Sequence, residues 1–223
     1  MPISLLDIRG SPNIGVYTVT TDLYTLIPVR ISKAKVDKIR SYLKTQVIYT
    51  SIGDSTLLGA LSAANSNGMV VPYYARDEEV DRIKRAVDGN IIKIDSKKTA
   101  LGNLILVNDR GALISPDIAE DRETVRRIED ALDVEAAQGT IAGLPYVGSL
   151  AVTTNKGTLA HPMLRDDERE LLEDVLKVPV DVGTVNHGVP YVASGLMANS
   201  FGVLAGFSTT GPEIVMLSNS LCR

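Results

Sequence analysis

The sequence has one cysteine, Cys222, in 223 residues, and a single cysteine excludes an internal disulfide framework and a cysteine-based zinc site. No apolar run approaches the roughly 20 residues that a membrane helix requires. The opening MPISLLDIRG has neither a basic leader nor a long apolar stretch, so no signal peptide is expected. A basic excess is missing too: 23 Lys and Arg stand against 27 Asp and Glu, a net charge of −4. Phosphate neutralisation usually needs such an excess or a dense basic stripe. Here Lys97-Lys98 and Arg126-Arg127 are isolated pairs. DNA binding is not expected, and any RNA contact is expected to be local or to accompany a protein partner. Neither GxxxxGK nor HExxH occurs, so nothing points to nucleotide-driven or zinc-driven chemistry, and no cofactor or metal is expected. With 44% hydrophobic and 22% charged residues, a cytoplasmic globular protein is the simplest reading.

What the chain does have is a repeat. LGALSAANSNGMVVP (58–72), LGNLILVNDRGALISP (101–116) and VGSLAVTTNKGTLAHP (147–162) share a Gly, an alternating run, an Asn/Gly turn, a second run and a Pro. Glycines at Gly15, Gly59, Gly102, Gly148 and Gly195 are separated by 44, 43, 46 and 47 residues. Repeats of this period decide the fold before any local reading does. Between Gly and Pro each copy reads as a β-hairpin, with Asn67-Gly68 as a tight turn needing positive φ. After the proline come apolar triplets at helical spacing: Val36/Ile39/Leu43, Val80/Ile83/Val87 and Val125/Ile128/Leu132, with Leu172, Val175 and Leu176 slightly shifted in the fourth. Acidic residues such as Asp77-Glu78-Glu79 and Asp166-Asp167-Glu168 open these helices and oppose the helix dipole. A third strand follows each helix: TQVIYTSI, NIIKIDS, VEAAQGTI and VPVDVGTV.

The unit is therefore ββαβ. The fifth copy ends in a short helix with no strand after it, whereas ISLLDIRG at the N-terminus is a strand with no helix before it. The first strand is expected to complete the fifth unit and close a ring, which hides the sheet edges an open array exposes. The expected fold is an α/β, closed five-bladed ββαβ propeller of pseudo-fivefold symmetry with helices outside. It forms one domain over 1–223, with repeats at about 11–55, 56–98, 99–143, 144–188, and 189–223 plus 1–10.

LLEDVLKVPVDVGTVNHG, LGNLILVNDRGALISPDIAEDRET and GTIAGLPYVGSLAVTTNKGTLAHP resemble the translation initiation factor 6 family, and the similarity spans essentially the whole chain. The lack of a tail beyond Arg223 is similar to archaeal members. The resemblance implies a pentein fold and a factor that binds the large (50S) ribosomal subunit and prevents its joining with the small (30S) one. It also implies a part in large-subunit maturation, and contact with a ribosomal protein beside the sarcin-ricin loop. Matched by motif, the implied ribosome-binding positions include Gly15, Ala60, Asn65, Asn103, Leu150 and Tyr191. Ala60 and Leu150 stand where eukaryotic relatives carry Arg and Tyr, which implies a smaller contribution from both.

The residues point the same way without the family. Fivefold repetition brings equivalent turns to one rim: Asn13 to Gly15, Leu58 to Ala60, Leu101 to Asn103, Val147 to Leu150, and Tyr191 to Gly195. Such a rim of small residues, amides and a few aromatics suits docking on a broad surface by a rigid monomer. Asn103 is the leading single residue, because an interfacial amide loses much when its hydrogen bonds are unmade. The alternative within the pentein class is a guanidino-group hydrolase with a cysteine nucleophile, using Cys222 with His161 or His187. Cys222 is penultimate and neither His is flanked by acids in the matching pattern, so no catalytic residue is expected.

Overall fold

The computed structural model describes residues 1–222, and every repeat unfolds into the same order of elements. A short helical turn leads into a first strand. The first strand pairs antiparallel with a second, and an outer helix carries the chain to a third strand parallel to the second. Five three-stranded sheets result. In unit 2, for example, Ala63–Ala64 pairs with Gly68–Pro72, which pairs with Asn90–Ile94. The fifth unit takes its third strand from the other end of the chain. Ile3–Leu6 lies parallel to Val203–Gly206 in the register Ile3 to Val203 through Leu6 to Gly206.

The helical turns are Ile14–Tyr17, Leu58–Leu61, Leu101–Leu104, Val147–Leu150 and Val192–Gly195. Each touches the next, and the last touches the first. LGNL at 101–104, expected as the start of a strand, is thus a turn of helix. Its glycine explains the geometry: a Cβ on Gly102 would sit 1.9 Å from the carbonyl oxygen of Gly59, so the neighbouring turn packs directly on its Cα. Gly59 and Gly148 meet the preceding turn in the same way, and Gly15 meets Ala193. The equivalent position in unit 5 is therefore Ala193. Gly195, counted in the sequence as the fifth glycine, lies two residues further on and packs against Asn186 and Val185.

The outer helices are Lys33–Leu43, Asp77–Lys84, Arg122–Leu132, Asp166–Leu176 and Gly211–Leu221. The fifth, expected to be short, has 11 residues like three of the others. Their apolar stripes face inward, as the spacing predicts; Val36, Ile39 and Leu43 are all buried. They do not simply cover their own sheet. Arg122–Leu132 packs on strands of unit 2, Asp166–Leu176 on unit 3, Gly211–Leu221 on unit 4, and Lys33–Leu43 on unit 5. The hydrophobic core accordingly divides into clusters at the seams. Tyr24, Leu26 and Ile48 of unit 1 pack with Met69, Val80 and Ile83 of unit 2, and corresponding clusters fill the other seams. Burial here welds neighbour to neighbour.

The hairpin turns lie at the far end of the first strands. Gly68 does not adopt positive φ, contrary to the tight-turn expectation. It is glycine because a Cβ would lie 2.0 Å from the Ala131 carbonyl oxygen in the next unit's helix. Beside it, Asn65 accepts from the Asn67 and Gly68 amides and donates across the seam to the carbonyls of Asn108 (3.1 Å) and Leu132 (2.8 Å). Asn108 and Asn199 repeat this latch toward units 4 and 1.

Candidate functional site

At the end of the ring of helical turns, a cavity of about 200 Å³ opens on the axis. Gly15, Ala60, Asn103, Ser149, Ser194 and Tyr191 are among its lining residues, and among the described residues none of those lining it is charged. Within each four-residue turn the geometry sorts the side chains. The first residue is buried in every turn: Ile14, Leu58, Leu101, Val147 and Val192. The second and third face the mouth. The residue just before each turn stands on the rim, and these are Asn13, Leu57, Ala100, Tyr146 and Tyr191. Leu57, Tyr146 and Tyr191 are 40%, 48% and 44% exposed.

Of the positions singled out in the sequence, Gly15, Ala60, Asn103 and Tyr191 meet at this mouth and Asn13 joins them on the rim. Two do not. Leu150 is the fourth residue of its turn and is fully buried, packed in the cluster with Leu106, Leu113 and Leu172. Asn65 follows its strand, so it lies at the opposite end, where its amide is consumed by the seam latch. The rim residues Leu57 and Tyr146 escaped the sequence reading. The signal was available: each lies two positions before its glycine, as Asn13 does, and Tyr191 lies two before Ala193.

Among the described residues, the side-chain amide of Asn103 makes no hydrogen bond, although the residue is only partly exposed. A donor and an acceptor are thus presented at the mouth without an internal partner. Next to Tyr191, the ring of His161 makes an edge contact, with centroids 6.4 Å apart. Burial holds His161 below its ordinary pKa, against the opposing pull of Glu168, and its Nδ1 accepts from the Met163 amide.

The axial cavity narrows away from the mouth, past the first strands, to a pocket of about 20 Å³ at the hairpin end. There Asn155 donates to both Asp22 (3.0 Å) and Asp109 (2.6 Å) and bridges them. The residues of the hydrolase alternative are in three separate settings. Burial pushes the Cys222 thiol up, against the pull of the N-terminal amine and Lys156. His161 lies beside Tyr191, and the His187 amide donates to Glu213. A nucleophilic cysteine has the opposite shift and an imidazole partner.

A model of the eIF-6 family matches residues 3–220. The chain belongs to the eIF-6 family. Translation initiation factor 6 of Pyrococcus horikoshii is 46% identical over 226 residues, covering 99% of both chains. The factor of the same name from Methanocaldococcus jannaschii is 46% identical over 218 residues, covering 95% of this chain and 94% of its own. That of Sulfolobus acidocaldarius is 41% identical over 222 residues, covering 99% of both. The family resemblance carried by the three stretches therefore holds along nearly the whole chain, and these relatives bear the name of an initiation factor, not of an enzyme class. No helix among the described residues is long and apolar enough to cross a membrane.

Proposed function

We propose that this protein is a translation initiation factor that docks the mouth end of a closed pentein ring onto the large ribosomal subunit and blocks joining of the small subunit by occlusion. The observation that carries this is the circular contact of five helical turns, which gathers Asn13, Leu57, Tyr146 and Tyr191 on one rigid end around the unpartnered Asn103 amide. A stable interface buries roughly 1,600 Å² in total, so docking is expected to engage rim residues from several units. Aromatics and an amide on an uncharged mouth suit a ribosomal protein, such as one beside the sarcin-ricin loop, better than a phosphate backbone. RNA contact is then local, at the margin. The ring acts as one domain over 1–223, as a monomer in the cytoplasm, without a cofactor or a catalytic group. The same occlusion guards the subunit during its late maturation.

Sedimentation of purified subunits tests this directly. The protein is expected to travel with the large subunit and to lower the yield of joined ribosomes. A protein that stays at the top of the gradient, or leaves joining unchanged, overturns the reading.

A further inference from the structure

The loops that deliver the rim residues are tied from behind by three buried carboxylates. Glu79, in the first turn of Asp77–Lys84, accepts from the Gly53 and Asp54 amides at 2.6 and 3.0 Å and from the Ser51 hydroxyl at 2.6 Å. Glu168 accepts from the Ala142 and Gly143 amides at 2.7 and 2.9 Å and from the Thr140 hydroxyl at 2.7 Å. Glu213 accepts from the His187 and Gly188 amides at 3.1 and 2.8 Å and from the Thr184 hydroxyl at 2.8 Å. Each carboxylate also takes the N-cap amide of its own helix, from Arg76, Arg165 or Thr210. That single bond is all a helix cap requires. Apart from the Arg165 guanidinium on Glu168 and the Thr210 hydroxyl on Glu213, the remaining bonds go to a loop some 25 residues earlier in sequence.

Those loops are shaped to receive them. Gly53 and Asp54, Ala142 and Gly143, and Asn186 through Gly188 all have positive φ. Successive left-handed residues turn their N–H groups toward one point, and the carboxylate occupies it. Ala142 and His187 hold φ of 55° and 68° despite their Cβ, a strained choice that the convergent bonds offset. A few residues on, the loops run into Leu57, Tyr146 and Tyr191. Unit 1 uses the reverse polarity, with Lys35 of the helix bonded to Asp7, which takes the Gly10 amide at 2.8 Å. Unit 3 ties its loop by Lys98 to Asp117.

We propose that Glu79, Glu168 and Glu213 are positioning residues of the docking face, holding Leu57, Tyr146 and Tyr191 at the height where they meet the partner surface. The inference rests on the docking reading above. Glu213→Gln and Glu168→Gln test it, since Gln keeps the size and the cap acceptor but aims an NH₂ group at converging N–H donors. Each variant is expected to bind the large subunit about tenfold more weakly, the effect of one such charged bond set. Hydrogen exchange is expected to quicken at the tethered amides, His187 and Gly188 in the Glu213 variant, but not along Val203–Gly206. A purely structural role would instead speed exchange throughout the unit. Unchanged affinity in a variant with freed loop amides overturns the proposal, as does unchanged exchange. Thr184→Ala removes one tether without touching the helix cap, and if Glu213→Gln does not fold, it is expected to show the same local exchange with a smaller loss of affinity. Wild-type protein that fails to bind overturns the docking reading itself, whereas wild-type binding with variants equal to it overturns the positioning claim alone.

Discussion

Asn103 and Leu150 occupy adjacent steps of equivalent helical turns, third and fourth, and that one step separates a side chain at the mouth from one in the core. Asn103→Asp places a charge in a mouth lined, among the described residues, by no other charged one. It is expected to weaken large-subunit binding by about tenfold while leaving thermal melting unchanged, since the side chain has no internal partner to lose. Equal affinity in a gradient or fluorescence titration would remove Asn103 from the docking face. Leu150→Ala acts through the core. Truncating a fully buried leucine is expected to cost about 2–5 kcal/mol in denaturant unfolding, because the seam between units 3 and 4 relaxes only partly around the void.

At the scale of elements, the seams depend on polar latches as well as apolar clusters. Asn65→Ala orphans the Asn108 carbonyl, leaves the Leu132 carbonyl with only the Asn67 amide as side-chain donor, and frees the turn at Asn67-Gly68. A loss of about 1–3 kcal/mol is expected from leaving a buried acceptor unpaired. Binding to the ribosome, measured under native conditions, is expected to be unaffected because Asn65 lies at the far end. Unit 1 departs from the glycine rule and shows why the rule exists. Tyr24 stands where the other hairpins have glycine, and its buried phenol reaches the Asn65 and Gly68 carbonyls. The helix it faces, Asp77–Lys84, has 8 residues where the others have 11, which leaves room for the ring.

Much of this was legible in the sequence. The stripe Val36/Ile39/Leu43 spans enough turns to show its period, and a first strand lacking a helix before it implied pairing with the last unit. The four-residue turn LGNL is too short to show any period, so it read as strand. Matching by the letter Gly hid the equivalence of Ala193 and with it the rim positions Leu57 and Tyr146. Asn65 and Asn103 look alike beside their glycines, but one follows its first strand and the other precedes it, and strand direction sends them to opposite ends. The acidic triplets read as compensation of the helix dipole. Nothing local tells that Glu79 and Glu168 turn inward toward loops far upstream.

For the molecule as a whole, those glutamates set an acid limit. Burial works to raise the Glu213 carboxyl, but bonds from the Thr210 and Gly188 amides and the Thr184 hydroxyl outweigh it and leave it at about 2. Glu79 and Glu168 are lowered for the same reasons. Because the folded values lie below the unfolded value of 4.5, their stabilisation is fully present above that pH. It is lost as the pH falls from there toward 2. Unfolding free energy is expected to drop steeply across this window. The gap between wild type and Glu213→Gln is expected to shrink across it, from on the order of 3 kcal/mol at pH 7 toward zero. A gap independent of pH would show that the carboxylate charge is not what holds the loop.

The pairing of Ile3–Leu6 with Val203–Gly206 also has a temporal side. Synthesis runs from the N-terminus, so the strand that emerges first is the one that finds its neighbour last, after nearly all of the chain has followed it. Until then unit 1 has no fifth unit beside it, and the turn at Ile14–Tyr17 lacks the Val192–Gly195 turn that flanks it in the finished protein. Contacts so distant along the chain form slowly. A nascent or truncated chain therefore has no complete mouth, and on the docking reading proposed above only the finished molecule is expected to bind.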